Sequence, residues 1–263
     1  MNFSIKKPLL LGVVHLKALP GSPRASASMK EIVKAALVDA NAYEQGGADA
    51  VVIENFGDIP FTKDRVPAET CAAMAVAGQA VREAIKLPMG FNVLRNDPLT
   101  GLGLCAACGG SFIRINVHSG AMITDQGVIE GNAFETVRKR KELGLQQVKL
   151  FADVHVKHAT PLGNLSLEDA ARDTLDRALA DGLIVSGVGT GHPTAIADLH
   201  TVRRACPKAP VLLGSGVTIE NVTTYLGHAS GFIVGSSLKR DGKIANPVDP
   251  KRVEKLASTM TRH

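Results

Sequence analysis

PVLLGSGVTIENVTTYLGHASGFIVGSSLK, residues 210–239, carries one arrangement twice: an apolar triplet followed at once by glycine and hydroxyl residues. Val211-Leu212-Leu213 runs into Gly214-Ser215-Gly216, and Phe232-Ile233-Val234 runs into Gly235-Ser236-Ser237. Short apolar runs with such boundaries read as buried strands, and the stretch between them has room for a crossover. The unit recurs upstream. Strands are predicted at Leu9–Val14, Ala50–Glu54, Met89–Val93, Phe112–Val117, Gln147–Val154, Gly182–Ser186, Val211–Gly214 and Gly231–Gly235. Helical spacing separates them, at Met29–Gln45, Pro67–Ile85, Asn132–Leu143, Leu167–Ala180, Thr194–Ala205, Glu220–Leu226 and Pro250–Ser258. Parallel strands need a crossover of a dozen or more residues, usually a helix. Eight such units in 263 residues predict an α/β fold, a single (β/α)8 TIM barrel over residues 1–263, with phosphate-binding loops after strands seven and eight. Local signals agree: Thr218 and Ser166 stand where helix N-caps belong, with Asp169 three residues after Ser166.

Composition narrows the function classes. Apolar residues make up 45% of the chain, enough for a large core. A net charge of +5 is spread along the chain apart from Arg138-Lys139-Arg140-Lys141, and only two Tyr and eight Phe accompany no Trp. That argues against a nucleic-acid partner and for a small anionic one. Of the four cysteines, Cys105 and Cys108 form a CxxC in LCAACGG, which reads as an apolar helix running into glycine, with core thiols. The N-terminal MNFSIKKPLLLGVVHL is interrupted by Gly12 and His15 and reads as a strand rather than a leader. No apolar run is long enough to span a bilayer. The expected location is cytoplasmic. The alanine-rich TCAAMAVAGQAVREA, residues 70–84, is a candidate homo-oligomer face or, equally, an ordinary helix packed on the barrel.

A barrel carries its site on the loops after its strands. Gly214, Ser215, Gly216, Gly235, Ser236 and Ser237 are the candidate phosphate cradle, with main-chain N–H groups and helix N-termini directed at an anion and Lys239 supplying charge. Gly187 and Gly189, in SGVGTGHPT, are candidates for a third side. The alternative is that these glycines only make tight turns. No complete Walker or dinucleotide fingerprint is present. Across the mouth the catalytic candidates are Glu54, Asn92, Arg114, Asn116, Asp153, His155 and Lys157. Alternation puts Arg114, Asn116 and His118 on one face of the fourth strand, and Asp153, His155 and Lys157 on one face of the fifth. Glu54 or Asp153 is the candidate general base, and His155 the candidate general acid or the partner that positions the base. Lys157 is an anion contact or, alternatively, a Schiff-base lysine. Asp153→Asn is expected to lose turnover with folding intact. Cofactors are unspecified: Glu54, Asp153 and His155 suit a divalent metal by type, but their spacing matches no metal motif and no metal site is assigned. His15 is either a core histidine or a site residue.

The segments GVVHLKALPGSP, ADAVVIENFGDIPF, GFNVLRNDP, FIRINVHSGAMITDQGVIEG, ADVHVKHATPL, IVSGVGTG, VLLGSGVTIEN and GFIVGSSLKRDG together resemble the BtpA/SgcQ family, from Leu11 to about Asp249. The resemblance implies a barrel of the ribulose-phosphate-binding type. It links cyanobacterial members to photosystem I biogenesis and other bacterial members to sugar-uptake gene clusters, and it brings no catalytic residues. Two readings follow: an enzyme acting on a phosphorylated sugar or nucleoside (isomerase, lyase or glycosidic-bond hydrolase), or a non-catalytic biogenesis or stability factor for a membrane complex such as photosystem I.

Overall fold

The computed structural model describes residue 5, residues 7–187 and residues 194–261. Eight parallel strands close into a barrel: β1 (Leu9–His15), β2 (Ala50–Glu54), β3 (Met89–Asn92), β4 (Phe112–Ile115), β7 (Lys149–Val154), β9 (Gly182–Val185), β10 (Val211–Leu213) and β11 (Gly231–Val234). Closure is made by β1, which pairs with β11 on one side and β2 on the other. The predicted TIM barrel is therefore the fold, and each of the eight predicted strands is found. Around it lie α1 (Met29–Gln45), α2 (Ala68–Ala84), α3 (Pro98–Cys108), α4 (Ala133–Glu142), α5 (Leu167–Arg172), α6 (Ile196–Ala205), α7 (Val222–Tyr225) and α8 (Pro250–Thr261).

Alternation along β1 shows how the chain divides its apolar side chains. Leu9, Leu11 and Val13 point into the barrel, where they join Ala50, Val52, Phe112, Phe151, Ile184, Leu212 and Ile233. Leu10 and Val14 point outward into the larger core beneath the helices. The rings of Phe112 and Phe151 meet edge to face, 5.8 Å between centroids. Gly90 and Gly182 make room for them, since a Cβ there would lie 2.4 Å and 2.8 Å from the two rings. On the outer side Tyr43 of α1 lies over Gly12 and donates from its hydroxyl to the Val13 carbonyl, 3.1 Å.

Several local expectations are revised. The polar alternation ends sooner than the sequence pattern predicts: β4 stops at Ile115 and β7 at Val154. After Ile115 the chain is held by Asn96, whose amide exchanges two 2.9 Å hydrogen bonds with the backbone of Val117. His118 consequently turns away from the mouth and contacts the Ala178 carbonyl, 2.9 Å. The helix expected through Ala180 becomes a π-helical turn at Asp173–Arg177. The one expected over Glu220–Leu226 shrinks to the four residues of α7, entered at Asn221 rather than at Thr218. Ser166 does cap α5, accepting from the Asp169 N–H. Three short strands were not anticipated: β5 (Ala121–Thr124), β6 (Gly127–Glu130) and β8 (Ala159–Pro161) form an antiparallel sheet in the order β6-β5-β8. Its inner face rests Met122 and Ile129 on Val117 and Val156. Cys105 and Cys108 are buried free thiols on α3, the first directed at the Phe112 carbonyl and the second at the Ala75 carbonyl. Among the described residues no helix is long and apolar enough to cross a membrane.

Candidate functional site

At the C-terminal ends of the strands one cavity is bounded by Glu54, Arg114 and Lys157 on one side and by the turns Gly214–Thr218 and Gly235–Ser237 on the other. The structure thus brings the two candidate groups together across the barrel mouth. The turns are tied to each other and to the scaffold. The Ser237 hydroxyl donates to the Val217 carbonyl at 2.7 Å, and Arg252 donates to the Ser237 carbonyl at 2.8 Å. Asn221 holds Gly216 by its carbonyl, 2.8 Å, and Gly216 has φ +70°, where a side chain would be strained.

Three parts of the cradle differ from expectation. Lys239 is buried and bonded to Asp39 of α1, so it does not line the cavity as an anion contact. Its place in the cavity wall is taken by Lys157. Helix dipoles are also minor here, because α7 begins eight residues beyond Gly214 and only a 3-10 turn, Ser236–Leu238, follows Gly235. What remains is main-chain N–H groups in the turns. Gly187 does not offer its own: that N–H is donated to the Ser215 hydroxyl at 3.0 Å. Gly189 lies outside the described residues. Two glycines answer to the packing of side chains. A Cβ on Gly214 would lie 3.0 Å from Arg114 Nη2 and 2.8 Å from Ser186 Oγ, and one on Gly235 would lie 2.6 Å from the His15 ring.

Asp153 and Arg114 form a buried pair, with Nε and Nη2 at 2.8 and 2.9 Å from the two carboxylate oxygens. Asp153 also accepts from the Ser186 hydroxyl at 2.7 Å and, at 3.4 Å, from Asn116. A carboxylate with four donors and no exposed side-chain surface is positioned to hold Arg114, not to take a proton from a substrate. Glu54 is the carboxylate that lines the cavity, fixed by one 2.9 Å bond from Asn92 Nδ2. Lys157 reaches the mouth because Arg95 Nη2 binds its main-chain carbonyl at 2.7 Å. Burial, followed by the neighbouring Arg114, lowers the Lys157 pKa from its ordinary value.

His155 is apart from Glu54, Arg114 and Lys157, although Asp153 also borders its cavity. Its φ of +51° breaks the alternation after Val154, and its ring lines a separate small cavity with Leu162, Leu165 and Thr174 under the three-stranded sheet. The trio Glu54, Asp153 and His155 is therefore not assembled, and no cluster of three or more His, Cys, Asp or Glu side chains suited to a metal is found among the described residues. Asn116 borders both the mouth and the His155 cavity. His15, left undecided by sequence, lines the mouth beside Glu54. Its Nδ1 is buried without a partner among the described residues, and burial, opposed by Glu54, lowers its pKa to about 4. Sequence reasoning also passed over Phe56, whose ring meets His15 edge-on at 4.9 Å; the only signal was its position two residues beyond the end of β2.

The sequence pattern of the BtpA family matches residues 5–262. The chain belongs to this family. It is 46% identical to an uncharacterised protein of Pyrococcus furiosus, over 97% of this chain and 95% of that one. It is 43% identical to the photosystem I biogenesis protein BtpA of Synechocystis, over 98% of this chain and 90% of that one. Among solved structures it is similar to phosphoribosyl anthranilate isomerase from Thermus thermophilus, with a TM-score of 0.58 over 97% of this chain and 99% of the other. At 13% identity that likeness concerns the fold alone.

Proposed function

We propose that this BtpA-family barrel is an enzyme acting on a small phosphorylated sugar or nucleoside at its C-terminal mouth. The observation that carries the reading is the single cavity in which Glu54 and Lys157 face the paired turns after β10 and β11. The substrate's phosphate sits on N–H groups of Gly216, Ser236 and Ser237, with Lys157 as counter-charge. Glu54, oriented by Asn92, is the proton acceptor, and Arg114, locked by Asp153, steadies negative charge developing on the substrate. Proton transfer to a carboxylate is a step that isomerases, lyases and glycosidic-bond hydrolases share.

Calorimetric titration with inorganic phosphate and ribose 5-phosphate tests the binding half. Wild type and Glu54→Gln are expected to bind alike, and Lys157→Ala to bind at least tenfold more weakly. Undiminished binding by Lys157→Ala overturns the cradle. The 43% identity to a photosystem I biogenesis protein supports the second reading, an assembly or stability factor. In a host whose endogenous copy is deleted, that reading expects Glu54→Gln to restore function fully, and the enzyme reading expects it to fail.

A further inference from the structure

The mouth has a second compartment. Phe56, Ile59, Phe61 and Leu94 wall it, with Arg95 and Asp125 also on its lining. Glu54, Phe56, Arg114 and Lys157 border this compartment and the phosphate cavity alike, so the two are continuous across Glu54. Phe56, Ile59 and Phe61 are each only half-buried. Large apolar side chains left part-exposed in a concave pocket with a few polar groups are the features of a ligand site.

A bare sugar phosphate does not suit this wall. Hydroxyls laid against its apolar side, the rings of Phe56 and Phe61 and the side chains of Ile59 and Leu94, would give up water and gain no hydrogen bond from those four residues. A flat ring does suit it, since aromatic side chains stack on any π-face and Arg95 and Asp125 supply one donor and one acceptor set for edge groups. We infer that the substrate is a sugar phosphate bearing a flat, largely uncharged ring, with the phosphate in the glycine-lined cavity and the ring against Phe56 and Phe61. The junction between sugar and ring then lies beside Glu54 and Lys157. This inference rests on the proposed function above and adds the second half of the substrate.

Calorimetry with ribose 5-phosphate, uridine 5′-monophosphate, adenosine 5′-monophosphate and a phenyl riboside 5-phosphate tests it, on wild type, Phe61→Ala and Lys157→Ala, each checked for native circular dichroism. At least one ring-bearing ligand is expected to bind tenfold or more tightly than ribose 5-phosphate. Phe61→Ala is expected to remove that advantage while leaving ribose 5-phosphate unchanged, and Lys157→Ala to weaken every ligand. If ribose 5-phosphate binds and no ring improves on it, or if Phe61→Ala leaves the advantage intact, the ring inference is wrong and the phosphate reading stands. If no phosphorylated ligand binds, the phosphate reading fails with it.

Discussion

Asp153 shows how burial changes a residue's meaning. By type and position at a strand end it is as good a proton acceptor as Glu54, and sequence offers no way to choose between them. The structure separates them through their partners among the described residues: Asp153 neutralises a buried guanidinium and accepts four hydrogen bonds, while Glu54 accepts one and borders the cavity. Asp153→Asn is therefore expected to lose stability, contrary to the expectation of intact folding. Removing one partner of a buried ion pair leaves a charge uncompensated, at a cost of about 3–5 kcal/mol. Urea denaturation should show it, with the double variant Arg114→Met/Asp153→Leu less destabilised than Asp153→Asn alone. A change below about 1 kcal/mol in Asp153→Asn would mean that Arg114 finds another partner.

At the scale of elements the fold was legible because each barrel strand is a short, mainly apolar run, while the helices between them keep their own period. The small β6-β5-β8 sheet was not. Its strands are three or four residues long, and only one face is buried, so no pattern of useful length forms. The candidate site was legible where a side chain stands on a strand, as with Glu54, Asn92 and Arg114. It was misread where the backbone leaves the strand, since a single left-handed residue, His155, ends the alternation. Lys239 was misread for a different reason: its partner Asp39 is 200 positions away on α1, beyond any local signal. That buried pair fastens the chain after β11 to α1, and Asp39 also accepts from the Val248 N–H at 2.8 Å. Lys239→Met leaves Asp39 buried with its charge unmatched, and a loss of about 3 kcal/mol is expected in urea denaturation. Because the lysine does not border the cavity, the affinity for ribose 5-phosphate should stay within twofold of wild type.

Over the whole molecule, His15 links the site to the pH range in which the barrel is stable. It ends β1, the strand that closes the barrel, with its ring between Phe56 and Gly235. Burial favours the neutral imidazole and lowers its pKa from 6.5 to about 4. Between those values the unfolded chain binds the proton and the folded chain does not, so acid favours unfolding. The contribution of His15 is complete above about pH 6.5, falls as pH drops, and is gone near pH 4, amounting to roughly 3 kcal/mol over the interval. His15→Gln cannot titrate there. Urea midpoints measured from pH 7 to pH 4 should fall more steeply for wild type than for His15→Gln. The rest of the fold is common to both proteins, so the difference between the two profiles reports on His15. Parallel profiles would show that His15 takes up its proton in the folded barrel. Charging it there requires Glu54 to serve as its counter-ion, and a carboxylate so occupied is a poorer proton acceptor for a substrate.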